Sequence, residues 1–373
     1  MLCREKMKYY IIAGEASGDL HGSNLVKELK KTDAGADIRC WGGDMMQAAG
    51  AHLVKHYREL AFMGFIEVVK NLRTILRNLS FCKKDIAGFK PDAIILVDYP
   101  GFNLRIAQWA KTQGLKVIYY ISPQVWAWKE NRVNIIKNCV DKMLVILPFE
   151  KDFYKKWNYE VEYVGHPLVE VVDEWQDEHK STVKTNIIAL LPGSRKQEIL
   201  KKLPVMLEVS RHFTDHEFVV AMAPGLDKEF YNNMLSGYSN VKAVSGKTYS
   251  LLMQATAALV TSGTATLETA LFGVPEVVCY KGSAVSYEIA KRVIKIKYIS
   301  LVNLIMDKPV VKELIQHEFT VTNVKKELHE LLTSKARIEQ LREDYSALKT
   351  LLSKGGHASA NAAKAISNFL QNE

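Results

Sequence analysis

The sequence predicts an α/β protein made of two doubly wound halves, each a parallel sheet with helices on both faces. Short apolar runs alternate with helix-length amphipathic stretches, which is the pattern of strands buried on both faces. The runs fall into two groups, separated by a polar, acidic stretch at residues 169–185. Because one hydrophobic core rarely grows past about 250–300 residues, a chain of 373 residues should contain two such domains.

The apolar runs define the predicted strands, and each is bounded by residues that end strands. In the first half they lie at 9–13, 38–41, 93–97, 116–121, 142–147 and 161–164. In the second half they lie at 186–191, 217–223, 241–244, 257–260 and 276–279. We therefore expect a Rossmann-like domain at 1–168, a linker at 169–185, a second Rossmann-like domain at 186–335 and a helical tail at 336–373.

The composition narrows the class of protein. A hydrophobic content of 48% without low-complexity bias excludes a disordered or fibrous chain, and we find no apolar stretch long enough to cross a bilayer. The five cysteines are scattered, which favours free thiols, and the charged first residues do not resemble a signal peptide. We expect a cytoplasmic protein. Its net charge of +9 suggests an anionic partner, which could be nucleic acid, phospholipid or a phosphorylated substrate.

The loop after the first predicted strand reads GEASGD at residues 14–19. It is glycine-rich, but the carboxylates of Glu15 and Asp19 would repel a pyrophosphate, so a dinucleotide is not expected there. Sugar hydroxyls suit these side chains better. A tight turn in which Ser17 or Asp19 caps the next helix explains the pattern equally well.

Three further loops in the first half carry polar side chains. Asp98 follows the strand at 93–97 and precedes a Pro-Gly turn, so it is a candidate proton acceptor for a hydroxyl and also a candidate helix cap. The segment SPQVWAW at 122–128 places Gln124 beside two tryptophans, which could stack on a sugar or pack between domains. For His166, before Pro167, we favour a hinge histidine over a catalytic one.

The second half carries two loops suited to a diphosphate. LPGSR at 191–195 brings Ser194 and Arg195 to the start of a helix, with Glu198 one turn further on. TSGTATLE at 261–268 does the same, and its members Ser262, Gly263 and Thr264 could bind phosphate while Glu268 accepts hydrogen bonds from ribose hydroxyls. Plain capped helices are the alternative.

A basic, apolar segment between Arg58 and Lys84 differs from the rest of the chain. Its large apolar side chains cover too wide an arc for one buried helix face, and cations flank them, so the segment suits a membrane interface or a lipid substrate. Packing against the sheet is the alternative. The lipid-facing candidates are Phe62, Met63, Phe65, Ile66, Val69, Arg73 and Arg77.

Two histidine pairs have the spacing of zinc ligands on a helix, namely His52 with His56 and His212 with His216. Neither pair has a further ligand in a recognisable pattern. We interpret both as solvated helix faces and expect no metal site.

Taken in order, these motifs resemble the lipid-A-disaccharide synthase family from about residue 7 to 316. The further motifs that carry the resemblance are GGDMM, AFMGFIEV, VDYPGFN, ILPFE and VGHPL. The family has the two-domain GT-B fold, in which C-terminal helices cross back to the first domain and the domains face a cleft. The tail from Thr320 adds little to the resemblance.

The resemblance implies a metal-independent, inverting glycosyltransferase. It would join UDP-2,3-diacylglucosamine to 2,3-diacylglucosamine 1-phosphate (lipid X) at the inner face of the bacterial inner membrane, with no cofactor and no nucleic-acid partner. Asp98 would be the base, Glu15 and Asp19 would lie near the sugars, and Arg195 would stabilise the leaving diphosphate. Glu268 would hold the ribose, with Ser262, Gly263 and Thr264 at the phosphates. The resemblance leaves open whether the protein forms a homodimer.

One departure concerns the loop before residue 304. The family usually has Leu-Pro-Asn where this chain has Leu301, Val302 and Asn303, and a later Pro-Glu-Leu pattern appears here as Lys312, Glu313 and Leu314. The resemblance still implies that Asn303 contacts the substrate. Two rivals remain, namely another UDP-sugar enzyme such as an epimerase, and a nucleotide-binding regulator without catalysis.

Overall fold

The computed structural model describes residues 6–60, 72–128, 130–180, 182–283, 287 and 296–371. The chain divides into two units. The first consists of Met1–Pro167 together with Ser353–Glu373, and the second of Leu168–Leu352. Among the described residues, no helix combines the length and the apolar character that crossing a membrane requires.

The first unit is built on a seven-stranded parallel sheet. Its strands are β1 Lys8–Ala13, β2 Asp37–Gly42, β3 His52–His56, β4 Ala93–Val97, β5 Lys116–Tyr120, β6 Lys142–Val145 and β7 Glu162–Tyr163. Their order is β3-β2-β1-β4-β5-β6-β7, so the strand order reverses on either side of β1. That reversal is a topological switch point, where open α/β sheets bind their ligands beyond the carboxyl ends of the strands.

The helices of the first unit lie between these strands and after the second unit. They are α1 Ala16–Thr32, α2 Asp44–Ala48, α3 Leu72–Phe89, α4 Pro100–Thr112, α5 Val125–Trp128, α6 Arg132–Cys139 and α7 Glu150–Lys155, with α16 Ala358–Gln371 returning from the end of the chain.

Alternate residues of β1 enter two cores, one on each face of the first sheet. Tyr10 and Ile12 join the core that contains Trp41, whereas Tyr9 and Ile11 join the opposite core. The opposite core also contains Ile366 of α16. A strand buried on both faces must be apolar throughout, which explains the unbroken run at 9–13.

The second unit contains a six-stranded parallel sheet. Its strands are β8 Ile187–Leu191, β9 Glu217–Met222, β10 Val241–Ser245, β11 Ala255–Thr261, β12 Glu276–Tyr280 and β13 Lys312–Ile315, in the order β10-β9-β8-β11-β12-β13. Its helices are α8 Pro167–Glu178, α9 Lys196–Ser210, α10 Lys228–Leu235, α11 Thr248–Gln254, α12 Thr264–Leu271, α13 Leu301–Met306, α14 Val321–Thr333 and α15 Lys335–Ser353.

The predicted fold class is confirmed, and every predicted strand is present, but two strands were missed. The missed strands are the edge strands β3 and β13. Each is short, polar and largely half-exposed, so neither shows the continuous apolar run of a central strand. Helix α8 occupies most of 169–185, the predicted linker, and the predicted tail is divided between the units after Leu352.

The predicted helical setting of the two histidine pairs is wrong. His52 and His56 lie in strand β3, where four residues span about 13 Å, too far for one metal ion. His212 and His216 lie in the turns after α9. Over the part of the chain that the structure describes, no group of three or more His, Cys, Asp or Glu side chains is arranged to hold a metal ion.

Candidate functional site

The turns after β1 and β4 bring two predicted acidic residues together in the first unit. The two strands are hydrogen-bonded neighbours, with Ala13 opposite Val97 at their carboxyl ends. Glu15 therefore lies near Asp98, and the charge of Glu15 raises the pKa of Asp98. We call Glu15, Asp98 and Tyr99 the acidic turn of the first unit.

Asp98 sits in a strained bend between β4 and α4. Both Asp98 and Tyr99 have positive φ angles, 44° and 47°, which non-glycine residues adopt only at a cost of order 1 kcal/mol or more. The buried side chain of Asn103 holds this bend, because its Nδ2 donates to the carbonyl oxygen of Asp98 at 2.8 Å and lies 3.2 Å from that of Val97. The hydroxyl of Tyr119 also donates to the carbonyl oxygen of Asp98.

The environment of Asp98 makes its carboxyl an unusually good proton acceptor. Burial, and secondly the charge of Glu15, raise its pKa to about 7 from an ordinary value of 3.8, against a smaller opposing effect of the Tyr99 amide. Burial disfavours the charged carboxylate, and a second carboxylate nearby disfavours it further. A carboxyl that titrates near neutrality matches the proton affinity expected of a general base.

Tyr99 packs tightly against the first glycine of GEASGD. A Cβ on Gly14 would lie only 2.3 Å from Cγ of Tyr99, so no larger residue fits there. The Tyr99 ring also stacks on Phe102, with ring centroids 5.8 Å apart. Gly14 thus allows the turn after β1 to approach the turn that carries Asp98.

Asp19 acts as a helix cap in this structure. Its carboxylate is 3% exposed, and it accepts hydrogen bonds from the amides of Gly43 at 2.8 Å, Met46 at 3.1 Å and Met45 at 3.1 Å. These amides open α2, so Asp19 joins the GEASGD loop to the GGDMM motif. Ser17, in contrast, is exposed. Contacts of Asp19 and Ser17 with sugar stay predictions.

A buried network holds the segment that carries Gln124. Glu150 accepts hydrogen bonds from the indole of Trp126 at 3.3 Å and the amide of Leu147 at 3.0 Å, and burial raises its pKa to about 7. Ser122 bonds to the hydroxyl of Tyr154 at 2.7 Å. Gln124 itself is exposed. The role of Glu150 was missed, although it closes the quoted motif ILPFE.

The buried histidine of VGHPL does not carry a charge near neutral pH. His166 is 3% exposed, and burial together with nearby His21 lowers its pKa to about 3. This environment fits the structural interpretation that the sequence favoured.

The turn after β8 is the first of the two turns in the second unit for which the sequence predicts diphosphate binding, and we call these two turns the diphosphate turns. Gly193 has a φ of 125°, and a Cβ there would lie 2.6 Å from Oε2 of Glu198, so the position requires glycine. Ser194 and Arg195 are exposed, and Arg195 is the residue that precedes α9. An Arg195 guanidinium nitrogen lies 3.2 Å from Oε1 of Glu198.

The turn after β11 forms the second diphosphate turn. Gly263 precedes α12 with a φ of 139°, and Thr264 is the first residue of that helix. The hydroxyl of Ser262 donates to the carbonyl oxygen of Ile299 at 2.8 Å. Because β8 and β11 are hydrogen-bonded neighbours, both turns lie at the carboxyl ends of adjacent strands. Their exposed polar groups and helix amides suit an anion.

Glu268 has a partner that the sequence analysis missed. The hydroxyl of Tyr249, on α11, donates to Oε1 of Glu268 at 2.8 Å, and burial raises the pKa of Glu268. Tyr249 is wedged against Trp175 and Phe272, with centroids 5.6 Å and 5.1 Å away. The carboxyl group is therefore held in a fixed orientation.

The side chain of Asn303 forms hydrogen bonds within the protein in this structure. It is 1% exposed, its Nδ2 donates to the carbonyl oxygen of Val311 at 2.9 Å, and its Oδ1 accepts from the amide of Val311 at 2.9 Å. Glu313 accepts from Asn303 at 3.0 Å and from the amides of Ile299 and Ser300. The role of Glu313 was missed, although the residue belongs to the quoted pattern at 312–314; it fixes the loop that Ser262 contacts. A substrate contact of Asn303 stays a prediction.

Most of the lipid-facing candidates fall outside the described residues, namely Phe62, Met63, Phe65, Ile66 and Val69. Arg73 and Arg77 are described, and both are exposed on α3. Leu76 and Phe81 on the same helix are 53% and 47% exposed. This helix therefore presents apolar side chains beside cations.

Two Rossmann-like units in one chain define a class of fold, which the GT-B glycosyltransferases and the UDP-sugar epimerases share. Solved structures of that class match this chain. The MnaA–UDP structure from S. aureus has a TM-score of 0.68 at 13% identity, with 98% of this chain and 97% of that one covered. The kitacinnamycin glycotransferase has a TM-score of 0.66 at 16% identity, with 98% and 100% covered.

Sequence comparison identifies the family within that class. The family model described as lipid-A-disaccharide synthetase matches residues 9–368. A lipid-A-disaccharide synthase from Syntrophus aciditrophicus is 40% identical, covering 95% of this chain and 96% of the relative. One from Geobacter metallireducens is 38% identical, with 93% of both covered. The chain belongs to the lipid-A-disaccharide synthase family and is a glycosyltransferase.

Proposed function

We propose that this protein transfers 2,3-diacylglucosamine from UDP to the 6-hydroxyl of lipid X, forming the β-1,6-linked disaccharide 1-phosphate and UDP. Family membership supports the reaction. The single structural observation that supports it best is Asp98, a carboxyl with a pKa of about 7 in a strained bend at the carboxyl end of β4.

Asp98 acts as the general base in this proposal. Its carboxylate takes the proton of the acceptor hydroxyl while the hydroxyl oxygen forms a bond to the anomeric carbon of the donor sugar. The bond between that carbon and the diphosphate oxygen breaks, and its electron pair leaves with UDP. One displacement of this kind inverts the anomeric centre. Glu15 raises the pKa of Asp98, and in this proposal it also accepts a hydrogen bond from a sugar hydroxyl.

The second unit binds the nucleotide in this proposal. The amides and hydroxyls of the two diphosphate turns donate to the phosphates through Ser194, Ser262, Gly263 and Thr264. The guanidinium of Arg195 neutralises the charge that develops on the leaving UDP, which is the part a metal ion plays in other transferases. Glu268, oriented by Tyr249, accepts hydrogen bonds from the ribose hydroxyls. Gln124 lies near the acceptor sugar.

Turnover in the presence of a chelator tests this assignment. The purified protein is incubated in detergent with UDP-2,3-diacylglucosamine, lipid X and EDTA, and the product is identified by mass spectrometry. We expect the disaccharide phosphate and one UDP for each disaccharide. Product only after a divalent metal is restored would contradict the role of Arg195. No product from a folded protein that binds UDP would favour another UDP-sugar reaction, such as epimerisation.

The acceptor and donor are lipids, and α3 presents a surface suited to them. Leu76 and Phe81 are exposed, with Arg73, Arg77 and Lys84 exposed along the same helix. Apolar side chains bordered by cations favour the interface of an anionic membrane. We therefore place the protein in the cytoplasm, bound peripherally to the inner membrane through α3 and the segment before it.

Vesicle flotation tests the membrane surface. Replacing Leu76 and Phe81 together by Ser should reduce binding to vesicles of phosphatidylethanolamine and phosphatidylglycerol. Val183→Ser, at an apolar residue of the second unit that is 75% exposed, serves as the control and should leave binding unchanged. Equal binding by all three proteins would exclude α3 as the contact.

A further inference from the structure

Lys202 is a buried cation that lies outside the sequence motifs that predicted the site. It lies on α9, and it is 3% exposed. Its ammonium donates to the hydroxyl of Thr261 and lies 3.8 Å from Oε2 of Glu198. It also lies 5.7 Å from the centre of the Tyr280 ring. A lysine this well buried is rare unless its ammonium group binds a ligand or is fully paired with opposite charges.

The contacts of Lys202 lead to both diphosphate turns. Thr261 is the last residue of β11, directly before Ser262 and Gly263. Glu198 packs against Gly193 of the other turn and pairs with Arg195. Lys202 therefore contacts the end of β11 directly and reaches the turn after β8 through Glu198.

The carboxylate beside Lys202 is shared with a second cation. Glu198 lies 3.8 Å from the ammonium of Lys202 and 3.2 Å from the guanidinium of Arg195, so its negative charge is divided between the two. Burial lowers the pKa of Lys202, which means that the protein alone stabilises its charged form poorly. An anion bound between the two turns would supply the missing negative charge, and at short range in a buried site such a pair interacts strongly.

We propose that Lys202 is a diphosphate-binding residue, whose buried charge attracts the UDP diphosphate from beneath the two turns. This inference rests on the proposed nucleotide site in the second unit. Arg195, which is exposed, approaches the diphosphate from the solvent side, whereas Lys202 acts from the side of the sheet.

Binding of ligands that differ only in phosphate number tests the proposal. Lys202→Met keeps the length of the side chain and removes its charge, and Lys201→Met removes the charge of the exposed neighbour as a matched control. By calorimetry, we expect Lys202→Met to weaken UDP binding about tenfold, UMP less, and uridine not at all. Lys201→Met should change none of them. An equal loss for all three ligands, or no loss for UDP, would overturn the proposal.

A second variant separates charge from hydrogen bonding. Lys202→Gln is neutral but keeps a hydrogen-bond donor, on a side chain one bond shorter than that of lysine. We expect it to lose UDP affinity as Lys202→Met does; full affinity in the Gln variant would mean that the bond to Thr261 matters and the charge does not. Thermal unfolding identifies any variant that fails to fold. UDP binding by the other variant then tests whether the charge of Lys202 is needed.

The outcome for Lys202 is separable from the outcome for the whole reaction. UDP binding that depends on Lys202, in a protein that makes no disaccharide, would keep this inference and reject the proposed function. Disaccharide synthesis with an unchanged KM for the UDP-sugar in Lys202→Met would keep the function and reject the inference.

Discussion

The acidic turn of the first unit and the diphosphate turns of the second unit are bent backbones at equivalent places, yet they are built from opposite residues. Asp98 and Tyr99 adopt φ angles of 44° and 47° without glycine, whereas Gly193 and Gly263 reach 125° and 139°. The first pair lies in the left-handed region, which other residues enter at a cost, and the second pair lies in a region that essentially only glycine adopts.

The difference follows from which part of the residue does the chemistry. In the proposed reaction the carboxyl side chain of Asp98 is the reactive group of the first unit, so glycine could not replace it, and Asn103 and Tyr119 hold the strained bend by hydrogen bonds to the Asp98 carbonyl oxygen. In the proposed nucleotide site of the second unit the backbone amides are the binding groups, so a side chain at the glycine positions is dispensable and close approach of an anion is favoured. The predictions below separate these two designs.

The largest effect is expected at the reactive side chain. Asp98→Asn should lower kcat for disaccharide formation about 10³-fold, because the amide cannot accept the proton, while the Kd for UDP stays unchanged. Asp152→Asn, at an exposed aspartate of the same unit, should leave both unchanged. Full activity of Asp98→Asn would remove Asp98 as the base.

A smaller but still large effect is expected at the residue that holds the strained bend. Asn103→Ala should lower the free energy of unfolding of the protein by about 2 kcal/mol, because buried carbonyl oxygens lose their donor. Urea unfolding measures this, and kcat should fall with it as the bend shifts. Asn138→Ala, at an exposed site of α6, is the control. Unchanged stability in Asn103→Ala would mean that the bend does not depend on the hydrogen bonds of Asn103.

An effect of about tenfold on affinity is expected at the glycine turns. Gly263→Ala forces an alanine to a φ of 139°, so the turn should shift and UDP binding should weaken by about 1–2 kcal/mol. Gly101→Ala in α4 meets no atom within 4 Å, and it should instead stabilise the protein slightly. Calorimetry with UDP and thermal unfolding distinguish the two. Unaltered UDP affinity in Gly263→Ala would separate this turn from the phosphates.

The smallest effect is a shift in pH dependence. Asp98 must be ionised to act as a base, so kcat/KM should rise with pH through about 7, the pKa of Asp98. Glu15→Gln removes a negative charge that raises this pKa, so the rise should move to lower pH by less than about one unit, since burial remains the larger cause. Glu160→Gln, exposed in the same unit, should not move it. A shift to higher pH in Glu15→Gln would contradict the coupling.

Local sequence predicted most strands because their apolar runs carry the burial of both faces. It failed at β3 and β13, two edge strands whose polar, largely half-exposed sequences contain no such run. The site divides in the same way. Glycine turns and strand-end acids are local signals, so the acidic turn and both diphosphate turns could be predicted. The partners that fix them are distant in sequence, such as Lys202 and Thr261, which lie 59 residues apart, or Ser262 and Ile299, which lie 37 residues apart. No local pattern announces such a pair.

The return of the chain to the first unit has a consequence for how the protein is made. Gly165 and Gly355 meet so closely that a Cβ on Gly355 would lie 2.5 Å from the Cα of Gly165, and beyond them α16 places Ala362 and Ile366 in the core beside α1. During synthesis from the amino end, every residue of the second unit therefore leaves the ribosome before the first unit can close its core. The unit that is translated first is thus completed last, and until then its unfinished apolar face is exposed to chaperones and proteases.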